Sequence, residues 1–119
     1  MRPMPDESPR RIFKLEEAQK LLPTVRARTR QALEEMSTLD VPFADDDEEE
    51  MRREKLEKAA GVVFGEWAQD LHRMGIEVKG PWLVDFDSGA GYYCWKWPED
   101  SLEFFHGYDE GFAGRVRLQ

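Results

Sequence analysis

The chain is short of cysteine, of long apolar runs and of positive charge, and each shortage excludes a class of protein. One cysteine among 119 residues rules out a disulfide within the chain. No stretch approaches the ~20 apolar residues that a membrane-spanning helix needs. The N-terminus is polar and rich in proline, unlike a secretion signal. We therefore expect a cytoplasmic protein without a membrane partner.

The missing positive charge also argues against a nucleic-acid partner. The formal net charge is −8. Residues 45–75 hold ten acidic and five basic side chains, and residues 76–119 hold eight and four. A surface of this sign repels a phosphate backbone, so we do not expect binding to DNA or RNA.

The length and the aromatic content together favour one domain with one core. A chain of 119 residues falls in the usual size range of a single domain. Four Trp, seven Phe and three Tyr must supply much of the buried surface. We divide the domain, residues 1–119, into a flexible tail (1–11), a helical hairpin (12–75) and a strand-rich aromatic module (76–119).

Apolar residues at helical spacing predict two helices. The first pattern begins after Phe13 and consists of Leu15, Ala18, Leu21, Leu22 and Val25. Pro23 lies inside it and is expected to end a short helix or to begin a second one. The second pattern, within 48–74, consists of Leu56, Ala59, Ala60, Val63, Phe64, Trp67, Leu71 and Met74. A connection at 38–47 predicts that the two helices pack as an antiparallel hairpin.

The acidic run at 45–50 has two interpretations. Carboxylate oxygens are the ligands that Ca²⁺ prefers, but the run lacks the spacing and the central glycine of a calcium loop. Acidic side chains also stabilise the N-terminus of a helix. We interpret the run as the solvated start of the second helix.

Beyond Gly75 the apolar spacing changes from helical to alternating. The pattern predicts strands at 76–79, 82–86, 92–97 and 102–106, with a short last strand within 111–118. We expect an α+β fold in which a small, mainly antiparallel C-terminal sheet packs on the N-terminal hairpin.

The C-terminal module concentrates the residue types that carry chemistry: Cys94, His106, Asp109 and Arg115, with aromatic residues and glycines between them. In the simplest interpretation the aromatic residues form the core and Asp109 pairs with Arg115. The other histidine, His72, is expected on the surface.

Three functional interpretations compete with that one. An anion pocket would use Arg115, His106 and the hydroxyl of Tyr92 or Tyr108. A metal site would use Cys94, His106 and Asp109, but it would lack the fourth protein ligand of a closed zinc site. A catalytic site would use Cys94 as nucleophile and His106 as base, oriented by Asp109. This last interpretation lacks an oxyanion-type glycine loop beside the cysteine, so we assign no catalytic residue.

Several motifs together resemble a known family. They are Phe13-x-Leu15-Glu16-Glu17-Ala18, Leu21-Leu22-Pro23, Gly75-Ile76-Glu77-Val78-Lys79, Leu83-Val84-Asp85-Phe86, Cys94-Trp95 and His106-x-x-Asp109-x-Gly111-Phe112-x-Gly114-Arg115. In this order they are similar to an uncharacterised bacterial family, domain of unknown function 2203 (DUF2203), from about Phe13 to the end. The resemblance implies no activity, substrate or cofactor.

The sequence therefore predicts a class of function without a ligand. We expect a non-enzymatic binding or interaction module that self-associates through the apolar stripe of the second helix. The alternative is a small-ligand (anion) site of His106, Tyr108, Asp109 and Arg115, or a metal site. No organic cofactor is expected.

Overall fold

A computed structural model describes residues 10–39 and 48–118. It contains two helices, α1 (Leu15–Ser37) and α2 (Glu48–Arg73), and then five strands, β1 (Glu77–Gly80), β2 (Leu83–Asp87), β3 (Tyr92–Lys96), β4 (Phe104–His106) and β5 (Val116–Arg117). A 3₁₀ turn at Phe112–Gly114 precedes the last strand. This architecture confirms the predicted α+β fold. The predicted tail up to residue 9 and the connection at 40–47 lie outside the described residues.

Helix α1 runs through Pro23 without a break, so the predicted helix boundary there is wrong. A proline inside a helix removes one backbone hydrogen bond. Leu22 and Val25 on either side are buried in the core, and Pro23 itself is exposed. Packing of the apolar face therefore keeps α1 continuous despite the missing bond.

The two helices pack against each other through a polar contact and an ion pair in addition to apolar side chains. Trp67 of α2 donates its indole N–H to Oγ1 of Thr29 at 2.9 Å, in the buried interface. Arg28 pairs with Asp70 at 2.7 Å. The earlier residue of α1 thus meets the later residue of α2, as the predicted antiparallel hairpin requires. Among the described residues no helix is long and apolar enough to span a membrane.

The five strands form one antiparallel sheet in the order β1-β2-β3-β4-β5. Because side chains alternate along a strand, the sheet has two distinct faces. The inner face packs on the helices through Val84, Phe86 and Trp95, which are fully buried. Phe13 closes this core by an edge contact with Phe86 at 5.2 Å between ring centroids.

The strand register decides which side chains reach the outer face of the sheet. Asp85 of β2 lies opposite Cys94 of β3. His106 of β4 lies opposite Tyr92, two residues from Cys94, so Cys94 and His106 point to the same face. The register therefore brings Asp85, Cys94 and His106 together on the side away from the helices.

Strand ends differ slightly from the predicted ones. β3 ends at Lys96, and the pairing continues one step further through a hydrogen bond from the Trp97 N–H to the carbonyl of Trp82 at 3.0 Å. β4 starts at Phe104 rather than at Leu102, which is buried in the core just before the strand. These shifts leave the predicted number of strands unchanged.

Candidate functional site

The outer face of the sheet carries a pocket of ≈ 380 Å³. Strands β1 to β4 supply its floor and one wall, and the segment 108–112 supplies the opposite wall. The lining residues are Lys79, Leu83, Asp85, Tyr92, Cys94, His106, Tyr108, Asp109, Glu110, Gly111 and Phe112. A cavity of this size is within the range of small-molecule sites.

Three buried side chains with metal-binding groups meet at the floor of the pocket. Asp85, Cys94 and His106 are 1%, 1% and 4% exposed. A carboxylate oxygen, the thiol sulfur and a ring nitrogen all lie within 4.8 Å of one another. Buried polar groups are costly unless each one has a partner. We call these three residues the floor cluster.

Hydrogen bonds fix the orientation of the His106 ring. Nδ1 lies 2.8 Å from the carbonyl oxygen of Gly107. A carbonyl oxygen can only accept, so Nδ1 must carry a hydrogen and donate it. Nε2 lies 3.0 and 3.1 Å from the two carboxylate oxygens of Asp85. A proton or a metal cation must therefore lie between Nε2 and the carboxylate.

Burial changes the acid–base behaviour of the floor cluster. It raises the pKa of Asp85, and this effect is opposed by the neighbouring His106. Burial also raises the pKa of the Cys94 thiol to about 12, and the Asp85 carboxylate adds to the shift. A thiol in this environment stays protonated near neutral pH, which disfavours Cys94 as a nucleophile.

Arg115 lies beside the floor cluster and not in the pocket lining. Its guanidinium carbon is 3.9 Å from the ring centroid of Phe104 and 4.0 Å from that of Phe112. Nη1 donates to both carboxylate oxygens of Glu99, at 2.9 and 3.1 Å, and lies 4.0 Å from Sγ of Cys94. The structure thus pairs Arg115 with Glu99, where the sequence suggested Asp109.

Tyr108 belongs to a network that joins the pocket wall to the N-terminal segment. Its hydroxyl donates to Oδ1 of Asp87 at 2.7 Å and accepts from Nη2 of Arg10 at 2.8 Å. Arg10 Nε donates to Oδ2 of the same carboxylate at 2.7 Å. The Tyr108 ring packs edge-on against Tyr92 at 5.0 Å, and Tyr92 lies 5.5 Å from the His106 ring.

The structure brings together most of the residues that the sequence singled out. His106 and Cys94 lie in the floor cluster, and Tyr108 and exposed Asp109 line the pocket above it. The carboxylate that joins Cys94 and His106 is Asp85, which sequence reasoning missed. An acidic residue at a strand position that faces the same way as Cys94 was the available signal, but it depends on the register.

The pocket lining carries more negative than positive charge. Asp85, Asp109 and Glu110 are acidic, and Lys79 is basic. Lys79 is already paired with Glu77 at 3.0 Å. This balance favours a cationic or neutral ligand over the anion that the sequence suggested.

Comparisons with known proteins identify a family without an activity. No curated protein and no solved structure matches the chain significantly. The model of one family, described as "Uncharacterized conserved protein (DUF2203)", matches residues 11–118. Because this match covers nearly the whole chain, the protein belongs to the DUF2203 family.

Proposed function

We propose that this chain is a non-enzymatic binding protein that holds a small ligand in the pocket on the outer face of the sheet. The supporting observation is the combination of a polar buried floor with aromatic walls in a cavity of ≈ 380 Å³. Ligand sites typically combine a few convergent polar groups with apolar walls. The floor cluster supplies the polar groups, and Tyr92, Tyr108 and Phe112 supply flat apolar surface.

The fold supports this role because the pocket is not needed to complete the core. Helices α1 and α2 bury the inner face, and the pocket lies on the opposite face. Polar atoms from β2, β3 and β4 converge at the floor of this pocket. The charge of the lining favours a ligand with an amine, an amide or a bound cation.

A variant that fills the pocket tests the proposal. Gly111 lines the pocket, and a Cβ atom there meets no heavy atom within 4 Å, so Gly111→Phe adds bulk without a backbone clash. Gly65 of α2 is equally open and lies outside the pocket lining, which makes Gly65→Phe the matched control. Ligand-observed NMR with a library of small amines, amides and aromatic acids should find binders of the wild type and of Gly65→Phe. Those binders should be lost on Gly111→Phe.

Two outcomes contradict the proposal. One is the absence of any binder to the folded wild type. The other is a set of binders that Gly111→Phe retains with unchanged affinity, because such ligands bind elsewhere. Binding confined to the aromatic acids would restore the anion interpretation.

A second proposal, self-association through α2, has one observation in its favour. Met51 and Val62 are 53% and 57% exposed. Eleven residues at 3.6 per turn place them about 20° apart around the helix, so they share a face. Light scattering at micromolar concentration should give a mass above that of the monomer for the wild type. Val62→Lys should give the mass of the monomer. A strict monomer for the wild type would remove this proposal.

A further inference from the structure

We propose that Asp85, Cys94 and His106 form a mononuclear site for a borderline divalent transition metal such as Zn²⁺, with one coordination position open to the pocket. This inference deepens the proposed function, because it names the cation that occupies the pocket floor. It rests on four observations about the floor cluster, namely its orientation, its distances, its donor types and its position in the cavity.

The first observation is the orientation of His106. A metal-binding histidine commonly donates its other ring N–H to a backbone carbonyl or a carboxylate, which fixes the ring and its tautomer. Gly107 supplies that carbonyl to Nδ1 at 2.8 Å. The nitrogen left with a free lone pair is then Nε2, and it points at Asp85 and towards Cys94. The ring is thus held in the tautomer that a metal ion requires.

The second observation is the spacing of the ligand atoms. Bonds of about 2.0 Å to nitrogen and oxygen and about 2.3 Å to sulfur hold tetrahedral ligand atoms about 3.3–3.5 Å apart. His106 Nε2 is 3.0 Å from the nearer oxygen of Asp85, and all three atoms lie within 4.8 Å of one another. The longest separation therefore has to shorten by no more than about 1.3 Å, shared between two side chains, to reach zinc geometry.

The third observation is the set of donors. Ca²⁺ and Mg²⁺ bind oxygen ligands, so a thiol and an imidazole beside one carboxylate do not suit them. Sulfur, nitrogen and oxygen together suit Zn²⁺ and neighbouring ions such as Co²⁺. The incoming ion takes the place of two protons, the Cys94 thiol proton and the one between His106 Nε2 and the Asp85 carboxylate, and both protons pass to solvent. Two anionic ligands then balance the charge of a divalent ion on the buried floor.

The fourth observation is that three ligands meet at the floor of an open pocket. Structural zinc sites are closed by four protein ligands, whereas sites that bind or process a small molecule keep one position open. The three ligands come from three adjacent strands, and Tyr108 and Phe112 line the space above them. A small ligand in the pocket can therefore bind the metal directly.

Cobalt substitution is the experiment that tests this site. The full chain, freed of metal by chelation, is titrated with Co²⁺, and the sulfur-to-cobalt absorption and the d–d bands are recorded. We expect one Co²⁺ per chain in tetrahedral geometry, displaced by Zn²⁺. Cys94→Ser should remove the sulfur band. Asp85→Asn should weaken Co²⁺ binding by at least about 100-fold, beyond the 10–100-fold that loss of an indirect partner costs.

Two matched controls separate this site from the one predicted from the sequence. Asp109→Asn alters the carboxylate of the sequence prediction, which lines the same pocket but lies outside the floor cluster. His72→Ala removes the other histidine, at the C-terminal end of α2. Both variants should bind Co²⁺ as the wild type does. Circular dichroism checks that each variant is folded, and the test variants Asp85→Asn and Cys94→Ser are near-isosteric with the residues they replace.

The outcomes that overturn the inference are distinct from those that overturn the proposed function. If less than one Co²⁺ binds per chain and no sulfur-to-cobalt band appears, the floor cluster is a hydrogen-bonded group that shares a proton and not a metal site. If Asp109→Asn lowers the affinity for Co²⁺ as much as Asp85→Asn does, the assignment of Asp85 as the metal-binding carboxylate is wrong. In either case the binding of organic ligands to the wild type, lost on Gly111→Phe, would still support the pocket.

Discussion

At the scale of single residues, the contacts of Arg115 beside the floor cluster limit which residue can replace it. Its planar guanidinium is stacked between the rings of Phe104 and Phe112, and it is bonded to Glu99. The side chain is only 12% exposed. A lysine ammonium keeps the charge, but it cannot stack between two rings or reproduce the two hydrogen bonds to Glu99. Replacement of Arg115 by lysine is therefore not a conservative change.

We predict that Arg115→Lys lowers the free energy of unfolding by about 1–2 kcal/mol, from lost stacking and a weaker ion pair. Arg117→Lys is the control, because Arg117 also lies over Phe104, at 4.9 Å, but is 65% exposed. Urea denaturation of the three proteins measures the difference. Equal losses in both variants would show that the stacked position of Arg115 contributes nothing special.

Residue chemistry alone predicted part of the floor cluster. Cys94 and His106 stand out because the chain holds one cysteine and two histidines. Asp85 does not stand out, since an acidic residue within a predicted strand is usually placed on the solvent side. Its role follows from the pairing of β2 with β3, which buries it opposite Cys94. Register is a tertiary property that a single sequence does not report.

At the scale of elements, periodicity predicted both helices and all five strands. It wrongly predicted a helix boundary at Pro23, where α1 is continuous. Intrinsic propensity disfavours proline inside a helix by ~3 kcal/mol, but burial of the neighbouring apolar face outweighs it. The same override explains why the strands ended one or two residues away from the predicted positions. Tertiary contacts contribute to these differences: Leu102, predicted to begin the fourth strand, packs in the core just before it.

The proline in α1 gives a prediction about helix stability. Pro23→Ala restores one backbone N–H in the middle of a helix and removes a ring from an exposed position. We expect the free energy of unfolding to rise by about 1–3 kcal/mol. Pro81→Ala, in the exposed turn between β1 and β2, is the control and should bring no gain. If Pro23→Ala unfolds at the wild-type urea concentration, the core has already compensated for the missing bond.

The contact between the two helices gives a prediction about pH. The hydrogen bond from Arg28, with a contribution from Arg73, lowers the pKa of Asp70. Because the pKa of Asp70 is lower in the folded state, the ion pair stabilises the protein fully at any pH above the unfolded-state pKa of this carboxyl. This stabilisation disappears as the pH falls through the folded-state pKa. The Asp70 side chain is 34% exposed, so screening limits the gain to less than about 1 kcal/mol.

We therefore expect Asp70→Asn to be less stable than the wild type at pH 7 and equally stable in strong acid, below the lowered pKa. The difference should shrink as the pH falls below about 4. Asp100→Asn is the control, because Asp100 is 95% exposed and meets Arg26 only at 3.5 Å. Urea denaturation across this pH range measures both variants. A constant difference at every pH would mean that packing, not charge, explains the effect of Asp70→Asn.

At the scale of the whole molecule, the two faces of the sheet have different roles. The inner face and the helices form the core, which holds the strands in register. The outer face carries the pocket, whose far wall is a short segment with little core of its own: Tyr108, Asp109, Glu110 and Phe112 are all exposed. The Tyr108 hydroxyl attaches this wall to Asp87 of β2, and Arg10 strengthens the attachment by binding both residues.

This attachment predicts a local effect of Arg10 on the pocket. Arg10→Ala removes one hydrogen bond to Tyr108 of the wall and one to Asp87 of β2, without removing any buried apolar surface. The backbone amides of 107–111 should therefore exchange with deuterium faster while the core strands stay protected. Arg11→Ala is the control, since Arg11 instead contacts the Phe13 ring and the carbonyl of Met74. Hydrogen exchange read by mass spectrometry distinguishes the two. Unchanged exchange at 107–111 in Arg10→Ala would mean that local hydrogen bonds hold the wall, such as the one from the Gly107 N–H to the Glu110 carboxylate. The N-terminal segment would then not help to shape the pocket.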